Sequence, residues 1–553
     1  MSGGSFSKAG VVGLGTMGAG IAEVLARGGL AVVGIEINDE ALARGRGHVE
    51  NSTGRAVKRG KLTEEAKQQI LDRITFSTDF ADLADCDLVI EAVPERMDLK
   101  RRVFAELDKV CRADAVLATN TSSLSVTEIA VGTARPSQVV GVHFFNPAPV
   151  MKLVEVIGTP LAEPAALARV AELVKSLGKT PVTVGNRAGF VANRLLLPYL
   201  NHAAALYEEG HATAEDIDTA MKVGAGLPMG PFTLMDMIGL DICLEALEAI
   251  YRETRDRRHA PAPILRELVT AGLLGRKTGR GFYSYDSSDA GTAASAQEAP
   301  QPLVGVMGSG AQAVAFAARC ARAGAQVRYV TEDESAQAAL QAELSADELS
   351  RVTVGTEPGS LADCDLVVEA AAGDAAAKRP VLAAVAGAAR ADAVLASLAD
   401  TGGVIEVATA AARAADVVGL HFPEADGPLV EVASTVLTAP RAAERAVALT
   451  AALGLTPVRC RDRAGFIVDA LRFPYLNDAV RMLEAGYADA DSIDAAMRLG
   501  CGYPTGPIAD LDRLGLDRAV AVLRALYAER RENAFAPAPL LEEYLTAGRS
   551  FRQ

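Results

Sequence analysis

The chain has no block of basic residues, no run of eighteen uninterrupted apolar residues and no Cys-x-x-Cys pair. Each absence excludes a class of function. Without a basic block, and with a net charge of −15, nucleic acid is not expected as the main partner and a polybasic membrane signal is missing. An acidic substrate would need local basic pockets. Without a long apolar run no membrane-spanning helix is expected. The N-terminus, MSGGSFSKAG, enters a strand directly instead of building a charged-then-apolar signal segment. The expected compartment is cytoplasmic. Seven scattered cysteines with no Cys/His cluster provide neither a disulfide framework nor a metal site, and Cys86 reads as a small core residue. What is plentiful is apolar: half of the residues are hydrophobic, so 553 residues support sizeable cores in roughly three or four domains.

The chain repeats itself. LADCDLVIEA at 83–92 returns as LADCDLVVEA at 361–370, and VVGVHFF at 139–145 as VVGLHFP at 417–423, both offset by 278. RAGFVANRLLLPYLNHA returns as RAGFIVDALRFPYLNDA, and IDTAMKVGAGLPMGP as IDAAMRLGCGYPTGP, now offset by 276. This is a head-to-tail duplication. Its joint, residues 287–302, has the small polar residues and prolines of a flexible surface linker. The second copy ends early, with LTAGRSFRQ opposite VTAGLLGRKTGRGFYSYD.

Near the start, an apolar stretch runs into Gly13-Leu14-Gly15-Thr16-Met17-Gly18, then a helical pattern, then the strand AVVGIE ending in Glu36. In that context a GxGxxG motif points to dinucleotide binding. Gly13 permits the tight turn, Gly15 admits the pyrophosphate to the backbone, and Gly18 lets helix pack on strand. Glu36 would take the ribose hydroxyls and repel a 2′-phosphate, favouring NAD over NADP; the alternative is a solvated strand-end acid. Between two charged helical stretches stand Lys58, Arg59 and Lys61, either a solvated face or the partners of a nucleotide phosphate on the substrate. The next strands end in Glu91 and in Asn120-Thr121-Ser122-Ser123, tips that face the ligand in a doubly wound sheet. Ser122 could also be the N-cap of the helix SVTEIA.

The run VVGVHFFNPAPVMKLVEV, residues 139–156, places His143 and Glu155 at two strand ends. A carboxylate bonded to one ring nitrogen makes the other a better base, so the pair is a candidate for abstracting a hydroxyl proton; the alternative is a histidine in an ordinary turn. After Pro160 the strand–helix alternation is expected to give way. From Ala188 the sequence reads as helical, with a long apolar helix interrupted at Pro198 and Asn193 as its polar exception near the N-terminal end. That asparagine either finds backbone partners or bonds a substrate oxygen. Lys277 sits in a Gly-rich turn near the end of the first copy.

With GLGTMGAG, NTSS, HFFNP and GFVANRLL in this order, residues 8–285 closely resemble the L-3-hydroxyacyl-CoA dehydrogenase family. The resemblance implies α/β plus all-α architecture: a Rossmann-like NAD-binding domain at 1–186 and a helical C-terminal domain at 187–286. The pair would be repeated as a degenerate Rossmann-like domain at 303–462 and a second helical domain at 463–553. It implies that His143 is the catalytic base and Glu155 its partner, with Ser122 and Asn193 on the substrate. The cofactor contacts would be Glu36, Glu91, Lys100, Asn146 and Lys277. The implied reaction oxidises a 3-hydroxyacyl-CoA of 3-hydroxybutyryl-CoA type. Duplicated family members acting on 3-hydroxyadipyl-CoA in phenylacetate degradation are the alternative.

The second copy looks degraded. His421, Glu431, Glu369 and Lys378 persist, but the motif reads Gly308-Ser-Gly310-Ala-Gln-Ala313 and Thr331 replaces the ribose acid. Leu398, Asp400, Glu424 and Asp469 stand opposite Asn120, Ser122, Asn146 and Asn193. Added carboxylates would repel a developing alkoxide, so this copy is expected not to turn over. It also lacks seventeen residues between glycine loop and LADCD (70 from Gly13 to Leu83, 53 from Gly308 to Leu361), which removes most of the cation-bearing insertion. It is expected to dock on the first copy as a pseudo-subunit.

Overall fold

Strands that are apolar over nearly their whole length, such as KAGVV and AVVGI, need cover on both faces, and both lie inside the first sheet with a strand on either side. The computed structural model describes residues 6–285 and 301–552. The linker expected at 287–302 therefore falls, except for Gln301 and Pro302, outside the described residues. Strands β1 (Lys8–Val12), β2 (Ala31–Ile35), β3 (Ile74–Ser77), β4 (Leu88–Glu91), β5 (Val116–Thr119), β6 (Val139–Phe144), β7 (Leu153–Gly158) and β8 (Thr180–Gly185) form one sheet ordered β3-β2-β1-β4-β5-β6-β7-β8. The first six are parallel; β7 turns back on β6, and β8 follows β7. Between β1 and β4 the strand order reverses, the switch point where doubly wound sheets bind ligands.

Helices α1 (Thr16–Arg27), α2 (Asp39–Lys58), α3 (Glu64–Asp72), α4 (Met97–Val110), α5 (Val126–Ala130) and α6 (Pro164–Ser176) connect the strands. Alternation does not give way after Pro160, which corrects the sequence reading: α6 and β8 add one more unit. In β8 only Val182 and Val184 are buried, so an edge strand with period-two burial replaces the apolar run of the central strands.

The helical domain opens with α7 (Ala192–Glu208), which begins later than the apolar pattern and runs through Pro198 without a break. An interior proline costs roughly 3 kcal/mol, whereas each fully buried leucine contributes about 1.5–3 kcal/mol. Leu195, Leu196, Leu197 and Leu200 are all buried around it, and the packing wins.

In the second copy, strands from Leu303–Met307 to Thr456–Arg461 repeat the same sheet order, and helix Val468–Glu484, with its internal Pro474, repeats α7. These two helices pack together, and one apolar core holds Leu196 and Leu200 of the first copy with Phe473 and Leu476 of the second. Hydrogen bonds cross the same boundary: His211 Nε2 donates to Phe466 O at 2.8 Å, and the Tyr487 hydroxyl to Gly185 O at 2.7 Å. No described helix is long and apolar enough to cross a membrane, and all seven cysteines are unpaired.

Candidate active site

Register brings the first pair together. His143 and Glu155 are direct partners across β6 and β7, and His143 Nδ1 lies 2.7 Å from Glu155 Oε2. An ionised carboxylate only accepts, so the ring proton belongs on Nδ1 and Nε2 is left as the acceptor. The other carboxylate oxygen, Oε1, accepts the Val191 and Ala192 N–H groups, each at 3.0 Å. Glu155 thus occupies the N-terminus of α7, where the helix dipole favours a negative charge. Completely buried, it is satisfied on both oxygens and fixes the tautomer of an imidazole that is 7% exposed. The residue after Ala192 is Asn193, half-buried, its side-chain amide without a hydrogen bond among the described residues. It stands in the first turn of α7, one residue after a donor to Glu155.

The glycine turn has the shape a diphosphate needs. Gly13 has φ +88, and a Cβ on Gly18 would lie 1.7 Å from Gly13 O, so neither position accepts a side chain. Around Gly15, by contrast, a Cβ would meet nothing within 4 Å; that open face adjoins a cavity of about 760 Å³ lined by Gly13, Gly15, Thr16, Glu36, Pro94 and Leu99. Glu36 Oε1 accepts the Leu14 N–H at 2.6 Å, which holds the carboxylate over the turn. Helix α1 has no side-chain cap, leaving its first N–H groups to a ligand. The residues therefore fit a dinucleotide.

The loop after β5 abuts the histidine strand, since Asn120 Oδ1 accepts the Phe144 N–H at 2.8 Å. Ser125, not Ser122, is the N-cap of α5, so the capping alternative for Ser122 is removed. Instead Ser122 N–H, Ser123 N–H and the Thr121 hydroxyl all donate to Glu95 Oε1, at 2.9, 3.1 and 2.5 Å. Burial pushes the Glu95 carboxyl up, but the Lys100 ammonium and these hydrogen bonds outweigh it and hold the group below the usual carboxylate range.

Glu95 was not singled out in the sequence. Its signal was there: Glu91 and Lys100 keep their counterparts Glu369 and Lys378, whereas Glu95 falls opposite Gly373. Glu91 and Lys100 are corrected in turn. Both side chains are completely buried, with Lys100 Nζ 2.7 and 3.0 Å from the Glu91 oxygens, so in this structure they present no surface to a cofactor. They position Glu95, which is 26% exposed and 3.3 Å from Lys100 Nζ.

A second residue missed in the sequence is Lys179. Its buried ammonium donates to Ala148 O at 2.6 Å and Met151 O at 2.7 Å, clamping the loop between His143 and Glu155. Burial, helped by Arg27, lowers it to about 8. The only sequence signal was Leu455 at the matching place in the second copy. Asn146 lies exposed on the loop that Lys179 clamps. Lys277 is paired with Asp241 at 2.5 Å in the helical domain and does not line the glycine-loop cavity, so a direct cofactor contact is not seen. Lys58, Arg59 and Lys61 are exposed at the end of α2 and the turn after it, their side chains without a hydrogen bond or ion pair among the described residues. They stand on the β2–β3 side of the sheet, whereas His143 is on β6.

The second copy keeps the pair in a different setting. His421 Nδ1 lies 2.5 Å from Glu431 Oε2, and Glu431 Oε1 accepts the Ile467 and Val468 N–H groups. But Nε2, the nitrogen a base would use, faces Asp469 Oδ2 at 3.6 Å, and Asp469 is held by Arg518 at 2.9 Å. Burial alone would lower His421; the Glu431 hydrogen bond and charge and the Asp469 charge outweigh it and raise it. Two carboxylates thus favour the charged form of the ring. Asp400 accepts a hydrogen bond from Gln312, and Glu424 is locked by Arg472 and Arg513, which hold it at about 2 against burial.

A doubly wound sheet with a glycine turn at its switch point, closed by a helical domain that begins on a His–Glu pair, defines a dinucleotide-dependent dehydrogenase. The family model for the 3-hydroxyacyl-CoA dehydrogenase NAD-binding domain matches residues 8–187 and 303–463, and that for the C-terminal domain 189–285 and 465–553. The chain belongs to the 3-hydroxyacyl-CoA dehydrogenase family, in duplicated form, and NAD is the cofactor of this enzyme class. It is 33% identical to the 3-hydroxyadipyl-CoA dehydrogenase of Escherichia coli K12 over 534 residues, 96% of either chain. It is 46% identical to a probable 3-hydroxybutyryl-CoA dehydrogenase of Deinococcus radiodurans over 278 residues, half of this chain and all of that one. A crystal structure of 3-hydroxybutyryl-CoA dehydrogenase from Escherichia coli K12 superposes with a TM-score of 0.74 at 30% identity, covering 98% of this chain and 99% of that one.

Proposed function

We propose that the first copy oxidises the 3-hydroxyl of an L-3-hydroxyacyl-CoA to the 3-oxoacyl-CoA, with 3-hydroxybutyryl-CoA as the representative substrate. The observation that carries this is the His143–Glu155 pair at the start of α7. His143 Nε2 takes the hydroxyl proton, and Glu155 stabilises the imidazolium that forms. Ser122 and Asn193 donate hydrogen bonds to the oxygen as it becomes a carbonyl. Gly13, Gly15, Gly18, Glu36 and Glu95 hold NAD, which when bound supplies the hydride acceptor. Lys58, Arg59 and Lys61 take the substrate's nucleotide phosphates. β2 and β6 are four strand spacings apart, roughly 19 Å, which suits a substrate whose phosphates are remote from its reacting carbon. Unpaired cysteines throughout suit the reducing cytoplasm.

A panel of 3-hydroxyacyl-CoA esters tests this by NADH absorbance: turnover is expected with the four-carbon ester, and no NADH with any member overturns the reading. Adipyl-type substrates belong in the panel, because the Escherichia coli relative named for 3-hydroxyadipyl-CoA shares the whole two-copy length.

The second copy acts as a non-catalytic pseudo-subunit. His421→Ala and His421→Gln are expected to keep turnover within about twofold, because a general base contributes 10²–10⁴ or so only where it acts; a loss of that order in the folded variants overturns the single-site view. Since His421 is raised in the folded state, its stabilisation is full below the unfolded value and is lost as pH rises through the folded one. The stability gap between wild type and variant should therefore narrow with rising pH.

A further inference from the structure

The helix Ala490–Gly500 of the second copy does not end against its own sheet. It packs on β7 and β8 of the first. At its last residue, a Cβ on Gly500 would lie 2.8 Å from Leu153 Cδ2 and 3.3 Å from Phe145 Cε1. Leu153 is the first residue of β7, and Phe145 directly follows the end of β6. Leu153 stands two residues before Glu155 and Phe145 two after His143, so period-two geometry places them toward the same face as the pair. The Phe145 ring centre is 4.5 Å from that of His143. A contact thus runs from Gly500 through Phe145 to the imidazole, and through Leu153 along the strand that carries Glu155.

The molecule contains its own control. Gly224 of the first copy makes the reciprocal contact, its Cβ position 2.4 Å from Leu429 Cδ2 and 3.2 Å from Pro423 Cγ. Leu429 and Pro423 are the counterparts of Leu153 and Phe145, but they back His421, whose outer nitrogen is blocked by Asp469. Matching contacts thus stand on either side of the boundary, but only the first copy's carries an aromatic ring to its histidine; Gly224 meets a proline there, and Val468 at 2.9 Å besides.

We propose that Gly500 is a positioning residue for the first copy's reaction: the second half sets the ring of Phe145, and with it His143, from across the boundary between the copies. This rests on the proposed function above and gives the non-catalytic half a task. An added Cβ must shift the Leu153 methyl at 2.8 Å and asks Phe145, at 3.3 Å, to give by a few tenths of an ångström; valine's further methyls ask for more.

The test uses the full chain with Gly500→Ala, Gly500→Val and the mirror variant Gly224→Val, each checked for folding by circular dichroism. Wild-type turnover is measured first, since its absence would sink the function and not this inference. In Gly500→Val, kcat is expected to fall about tenfold or more with KM for NAD within about twofold, and the acid limb of the kcat/KM profile to shift; Gly500→Ala falls between. Gly224→Val is expected to keep kcat within about twofold and the profile unmoved. Relieving the push with Leu153→Ala in the Gly500→Val background should recover part of kcat. Equal losses at Gly500 and Gly224, or an unchanged Gly500→Val, overturn the proposal. Should Gly500→Val fail to fold, the Gly500→Ala profile decides alone, and an unmoved acid limb overturns it.

Discussion

Replacing His143 with Gln is expected to lower kcat by about 10² to 10⁴, roughly 3–5 kcal/mol of barrier, with KM for NAD little changed. A glutamine side chain keeps a polar group near Glu155 but has no nitrogen that accepts a proton at neutral pH. The dinucleotide side is untouched, because the glycine turn and Glu36 lie on β1 and β2 while His143 is on β6. Stopped-flow or steady-state NADH formation measures it. Turnover near that of wild type would remove His143 from the mechanism.

The second large effect is expected at Glu155, and it separates orientation from charge. In Glu155→Gln the side-chain oxygen can still accept the Val191 and Ala192 N–H groups, so the start of α7 stays capped. The amide nitrogen then points at His143 Nδ1 as a donor, which moves the ring proton to Nε2. The imidazole is left with its acceptor facing the wrong way, and the imidazolium would lose its counter-charge. A fall in kcat comparable to that of His143→Gln is expected, about 10²–10⁴, with the fold retained. Glu155→Ala should cost stability as well, about 1–3 kcal/mol for each buried donor left unpaired, measured by denaturant unfolding. A Glu155→Gln enzyme that turns over normally would show that the tautomer does not matter here.

Glu95 and Lys179 show why part of the site could not be read in the chain. Each acts through backbone atoms: Glu95 gathers the N–H groups of Ser122 and Ser123, and Lys179 holds the carbonyls of Ala148 and Met151. Main-chain partners leave only the indirect signal of Gly373 and Leu455 at the matching places in the second copy. Glu91 and Lys100 went the other way. The family resemblance implied ligand contact for both, whereas the fold buries them as an internal ion pair. Pro198 marked a helix break by local rule, and packing on all sides overrode it.

The sequence by itself determined the duplication, the glycine turn with Glu36 beside it, the His–Glu pair and the loss of polar partners in the second copy. All of these rest on residue type at fixed spacing along one strand or turn, where local geometry follows from the chain. Only the tertiary structure decided that α7 begins on Glu155, that Asp469 caps His421 and that Gly500 stands behind Phe145. Those depend on which distant segments meet and on what burial does to a charge once they have met.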